Sequence, residues 1–186
     1  MTNLTRRGFA FGALAGAGVT AACGNGIGNS NAQVIDARVA ETLNYLYTNY
    51  PNTLDLGNNA KGVLVMPVVT EAGLGFGGGY GQGALQVNGT SVDYYSATKG
   101  SVGLQFGASQ HAHVLFFMTE GALSQFRSSS GWAVGANVKY VVVDEGGAAI
   151  AETTNILQPV VAVIFGQAGI KLGVTLEGTK YNRIIP

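Results

Sequence analysis

Only one cysteine, one tryptophan, two histidines and four prolines occur among the 186 residues, and charged residues make up just 11%. A lone cysteine excludes an internal disulfide framework. Ten basic and ten acidic residues cancel. The chain therefore lacks the basic excess of a nucleic-acid-binding surface, and no nucleic-acid partner is expected. The scarcity of charge has a counterpart: 47% of the residues are hydrophobic, which excludes a disordered chain and supplies enough apolar surface for a core. The length suits one domain.

What is present begins with an N-terminal segment that reads as separate from the fold. "MTNLTRRGFAFGALAGAGVTAAC" places Arg6 and Arg7 before an uncharged apolar run from Gly8 to Ala22, which ends at Cys23. A basic end, a short apolar stretch and small residues at the cut form the layout of an export signal. A run of about 15 residues is short of the roughly 20 that cross a bilayer as a helix. "TRRGFA" resembles the bacterial twin-arginine export signal, with general secretion as the alternative. "TAAC" resembles a lipobox, in which Cys23 becomes the lipid-attachment residue; Thr20 departs from the usual leucine or valine, and ordinary cleavage nearby is the alternative. Residues 1–22 are thus expected as signal peptide, 23–31 as a flexible tether, and 32–186 as the domain. The expected location is the periplasm, anchored at the outer rather than the inner membrane.

Within the domain, "AQVIDARVAETLNYLYTNYP" predicts an amphipathic helix. Ile35, Val39, Thr42, Leu43, Leu46 and Tyr50 recur at helical spacing, and Pro51 stops it. From Lys61 onward the pattern turns to strands. Pro67 marks an edge, a bulge or a strand end. Asn88-Gly89 between alternating residues predicts a two-residue hairpin. Thr119 offers a cap for a short helix in "TEGALSQF". "WAVGANVKYVVVDEGGAAIAE" reads as a long strand, a turn and a return strand, and the last section as two strands joined around Gln167. Strands and helices do not alternate regularly, so a doubly wound parallel sheet is not expected.

The glycines are not scattered. Gly73, Gly75, Gly77, Gly79, Gly81 and Gly83 occupy one parity of "EAGLGFGGGYGQGALQVNG", with Gly78 between. "GLGFGG" matches G-x-G-x-x-G, but that fingerprint holds a nucleotide only where it turns a strand into a helix. Here it runs on into alternation and a hairpin, so no nucleotide partner is expected. On a strand the six positions share one bare face, which permits strong bending and close approach of another backbone. Each glycine costs about 0.5–1 kcal/mol relative to alanine, which close packing must offset. The predicted fold class is α+β and β-rich: an antiparallel barrel-like or sandwich-like sheet with an N-terminal amphipathic helix.

Chemistry-bearing constellations are few. His111 and His113 would share a strand face as two metal ligands do, but the sequence nominates no third ligand, and a polar pair at a strand entrance is the expectation. No G-x-S-x-G elbow occurs. Trp132 is expected as a core or rim aromatic, with a ligand-stacking platform as the alternative. Asp144 and Glu145 beside Gly146-Gly147 read as a turn, with too few oxygens for calcium. No catalytic residue, metal or cofactor is therefore expected, and the protein is not expected to be an enzyme.

Four blocks, "MPVVTEAGLGFGGGYGQGAL", "SVGLQFGAS", "WAVGANVKYVVVDEG" and "GIKLGVTLEGTKYNRI", resemble in this order the SYLF-domain family. That resemblance implies a lipid-binding module, found in bacteria as exported proteins. It implies head-group binding by basic residues. Lys171 and Lys180 fall within the matching terminal block, Arg183 lies beside them, and Lys61 opens the first strand. The helix departs from the family pattern because it carries almost no positive charge. The expected function is an envelope lipoprotein that binds phospholipid, a membrane surface or another amphiphile without turnover. The alternative is an envelope scaffold that binds a partner protein or a cell-wall component.

Overall fold

The computed structural model describes residues 30–135, 138–142, 158–166 and 176–186. The first element is helix α1, Ser30–Asn49. Its stripe of Ile35, Val39, Thr42 and Leu46 is buried, with Leu43 and Tyr50 packed against the same cluster, as the spacing predicts. Thr42 satisfies its buried hydroxyl by donating to the Arg38 carbonyl at 2.7 Å. Tyr94 on the sheet donates to Asp36 at 2.9 Å and ties the helix down through a polar contact. After Pro51 a second helix, α2 (Thr53–Asn59), places Thr53 and Leu56 in the core. Seven residues are too few to show helical periodicity, so the sequence does not announce it.

Strand β1 (Gly62–Val87) and strand β2 (Thr90–Phe117) run 26 and 28 residues. They pair antiparallel from Val87↔Thr90 out to Gly62↔Phe117. Asn88 and Gly89 form the turn at φ 51° and 75°, the pair of positive values that a two-residue hairpin requires. Pro67 sits in an irregularity between Met66 and Val69, where the ladder skips; proline has no N–H to give to it.

Helix α3 (Glu120–Ser128) follows, and Thr119 caps it by accepting from the Ala122 N–H. Strands β3 (Trp132–Ala133), β4 (Val138–Val142), β5 (Val160–Phe165) and β6 (Thr179–Ile184) complete the described elements. One sheet results, in the order β3-β6-β2-β5-β4 with β1 on β2. It curls into a half-barrel, and the fold is α+β and sheet-dominated. All pairs are antiparallel except β4 with β5. The single long strand expected from Trp132 is divided: β3 lies on β6 and β4 on β5, because the two ends of that stretch join different edges of the sheet. The "DEGG" turn, its return strand, the joint at Gln167, Lys171, Cys23 and the signal segment lie outside the described residues.

Both sheet faces are covered. Val65, Val114, Phe116, Val161, Val163 and Phe165 pack under α1 and α2. Leu64, Met66, Leu115, Phe117, Ala162 and Ile164 point to the concave side, where Leu123 and Phe126 of α3 fill the space. Fully burying each such side chain contributes roughly 1.5–3 kcal/mol.

The bare row lies on β1, with no helix opening from it. Its glycines meet the first half of the same strand, which has folded back. A Cβ at Gly81 would stand 2.6 Å from the Val68 carbonyl oxygen and 2.7 Å from Val69 Cγ2. One at Gly83 would collide with the Val65 carbonyl oxygen and come within 2.7 Å of Met66 Sδ. Close backbone approach, the expectation for this row, is what Gly81 and Gly83 provide.

Candidate functional site

The concave face gathers the polar groups that sequence spacing left apart. His111 and His113 do not stand at a strand entrance; β2 continues past them on both sides. Both are buried, His113 completely, with their rings stacked at 5.5 Å and 27°. Tyr181 of β6 reaches across so that its Oη lies 2.7 Å from His113 Nε2. Both ring nitrogens of His111 and Nδ1 of His113 are buried without a hydrogen-bond partner. Burial pushes the His113 imidazole well below its ordinary 6.5, and the nearby charges of His111 and Lys99 act in the same direction. Burial also lowers His111, opposed by Glu71 and aided by Lys99. These are neutral imidazoles in an apolar wall.

Above them Lys99 and Glu71 form an ion pair of 3.0 Å, largely shielded from solvent. Gly79 makes room for it: a Cβ there would lie 3.1 Å from Glu71 Cγ and 3.4 Å from Lys99 Cβ. Among the described residues no three His, Cys, Asp or Glu side chains converge as a metal site would require. The enclosed His–Tyr–ion-pair group is an internal polar strut.

Two recesses formed by the described residues bear on binding. The first is a slot of about 390 Å³ between α3 and the strands β3, β4 and β5, lined by Ala122, Gln125, Trp132, Ala133, Val138, Pro159 and Val160. Trp132, half-buried, forms one wall. Its ring meets Phe126 at 5.4 Å, Tyr181 at 5.9 Å and Phe117 at 6.3 Å, so the indole is rigidly held. Lys180 pairs in register with Ala133, and the end of its side chain lies over Gly131, where a Cβ would strike Lys180 Cε. Ala133, its partner across the rung, lines the slot, while Lys180 alternates with the buried Tyr181 and is exposed outside that lining. The second recess is a wider groove between α1 and the bulge in β1, lined mainly by polar side chains.

The basic residues singled out from the sequence do not form one patch. Lys180 is exposed on β6. Arg183, three residues on, is of opposite parity and pairs with Asp93 at 3.2 Å, which also holds Arg127 at 2.9 Å. Lys61 is exposed at the start of β1, its N–H on the Phe117 carbonyl, at a different stretch of β2 from the Thr98↔Lys180 rung. Among the described residues no helix is long and apolar enough to cross a membrane.

Residues 98–183 match the family model described as Ysc84, Las17-binding protein actin regulator. No curated protein matches the chain. Two of the four sequence blocks fall inside the matched segment and a third all but its last residue; the segment starts at Thr98 in β2 and runs through α3, the slot and most of β6. With the half-barrel and the ordered blocks, that match makes residues 98–183 similar to the Ysc84, or SYLF, family and is consistent with a domain of that family.

Proposed function

We propose that the chain is an exported envelope protein, anchored through a lipidated Cys23, whose SYLF domain binds a phospholipid or another amphiphile. The family supports a binding role without catalysis. The observation that carries the finer reading is the slot beside Trp132, with exposed Lys180 paired across from Ala133, one of the residues that line it. A slot with apolar walls takes up a hydrocarbon chain, and an adjacent ammonium favours an anionic head group. Arg183 and Arg127 each pair with Asp93, whereas exposed Lys180 lies on the strand next to Trp132, and it is the head-group contact we assign.

Trp132 is the only tryptophan in the chain, so its fluorescence reports directly on the slot. Residues 30–186, which lack Cys23, should bind phosphatidylglycerol vesicles more tightly than phosphatidylcholine vesicles and shift Trp132 emission to the blue. Lys180→Gln should weaken the anionic binding about fivefold, the equivalent of roughly 1 kcal/mol per basic contact. Failure to bind either vesicle, with unaltered emission, would end this reading. A second reading, an envelope scaffold for a partner protein, is favoured by the matched family's description as binding a protein; a stoichiometric protein adduct on crosslinking in cells would decide for it.

A further inference from the structure

The second recess points to a different ligand. Arg38, Glu41, Tyr45 and Thr48 recur every three or four residues, so they share one face of α1. They are exposed, unlike the buried stripe of Ile35, Val39, Thr42 and Leu46. Opposite them stand Pro67 and Val68, which the irregularity between Met66 and Val69 takes out of the ladder. Bulges re-aim strand residues in this way, and they concentrate near binding sites. The space between measures about 820 Å³, within the range of small-ligand sites.

The lining sets the class of ligand. One arginine and one glutamate balance, so neither an anionic nor a cationic ligand is favoured. Asn44, Asn49 and Gln110 add carboxamides, and Thr48 a hydroxyl. Asn49 donates to the Tyr45 carbonyl at 2.9 Å and Gln110 to Thr70 Oγ1 at 3.1 Å. Both amides are thereby oriented, each with its carbonyl oxygen left to offer as an acceptor. Tyr45 stacks one ring face on Phe165 at 6.0 Å and 13° and remains 39% exposed. A fixed aromatic ring with oriented amides around it suits a neutral ligand that has C–H faces and many hydroxyls. A hydrocarbon chain would leave the amides unpaired, at a cost for each.

We propose that this groove binds a neutral oligosaccharide, independently of the slot beside Trp132. The test is titration of the full chain, purified in a detergent without a sugar head group, with N-acetylglucosamine tetrasaccharide and with a glucose tetrasaccharide. Backbone amide shifts are followed by NMR. Binding of either sugar, with shifts at residues 38–49, 67–68 and 110, is the expected result. Tyr45→Ala should weaken it at least about tenfold, and Asn44→Ala and Thr48→Ala about threefold each, the scale of one hydrogen bond. Asn44 and Thr48 are exposed, so those two variants keep the test sound should Tyr45→Ala loosen the packing on Phe165. No shifts at millimolar sugar would overturn the proposal, as would shifts elsewhere, indifference to all three variants, or tighter binding of a neutral tetrapeptide at the same residues.

Discussion

What stands opposite a glycine decides whether it can be replaced. At Gly83 the obstacle is the Val65 carbonyl oxygen, and at Gly81 the Val68 carbonyl oxygen. Backbone atoms cannot turn aside as a side-chain tip can. Gly83→Ala should therefore cost about 3 kcal/mol or more, at the upper end of overpacking penalties. Gly100, on β2, meets nothing within 4 Å. Gly100→Ala should be neutral or stabilise by about 0.5 kcal/mol, through the less flexible unfolded chain. Urea unfolding of the two variants checks both; equal midpoints would mean that β1 does not fold back on its bare row.

At the scale of elements, much was legible where a single residue carries a strong local rule. Pro51 ends α1, Asn88-Gly89 makes the turn, and Thr119 caps α3. Replacing the cap by Thr119→Ala should cost about 1 kcal/mol, with Thr119→Ser close to neutral. Phe126→Ala, which removes the ring that α3 buries against Tyr95 and Phe117, should cost about 3–5 kcal/mol. Thermal unfolding would rank them, and reversal of that order would remove α3 as the plug of the concave face. What stayed hidden were pairings that depend on register. Counting rungs outward from Asn88-Gly89 sets Lys99 opposite Gly78. The irregularity between Leu85 and Gln86 moves it to Gly79 and so turns it inward toward Glu71. One extra residue reverses every face beyond it, and nothing in the residue types of that stretch declares it. The slot and the groove were hidden for a related reason: each is assembled from elements far apart in the chain. The histidine pair showed its shared face but not its depth, because burial depends on Tyr181 and β6 arriving from the other end of the chain.

For the molecule as a whole, the buried imidazoles couple stability to acidity. Their folded-state pKa values lie below the ordinary 6.5, while in the unfolded chain they protonate near that value. Between the two, the unfolded state binds more protons, so stability is lost as pH falls below about 6.5 and is fully present above it. Lys99, Glu71 and Tyr181 are the other ionisable groups close by. The urea midpoint should decline between about pH 6.5 and 5 and hold steady from 7 to 8. The double variant His111→Gln, His113→Gln should flatten that decline whatever its own stability. A midpoint level throughout would contradict neutral buried rings.

The two-residue turn at the tip of β1 and β2 also determines how the molecule can assemble. From Val87↔Thr90 each new rung joins neighbours already held close, and the loop to be closed lengthens only gradually out to Gly62↔Phe117. Strands β5 and β6 then find a ready template on β2. Despite its many distant partners, the sheet can close like a zip fastener, started by Asn88 and Gly89 and slowed where the bulges interrupt its teeth.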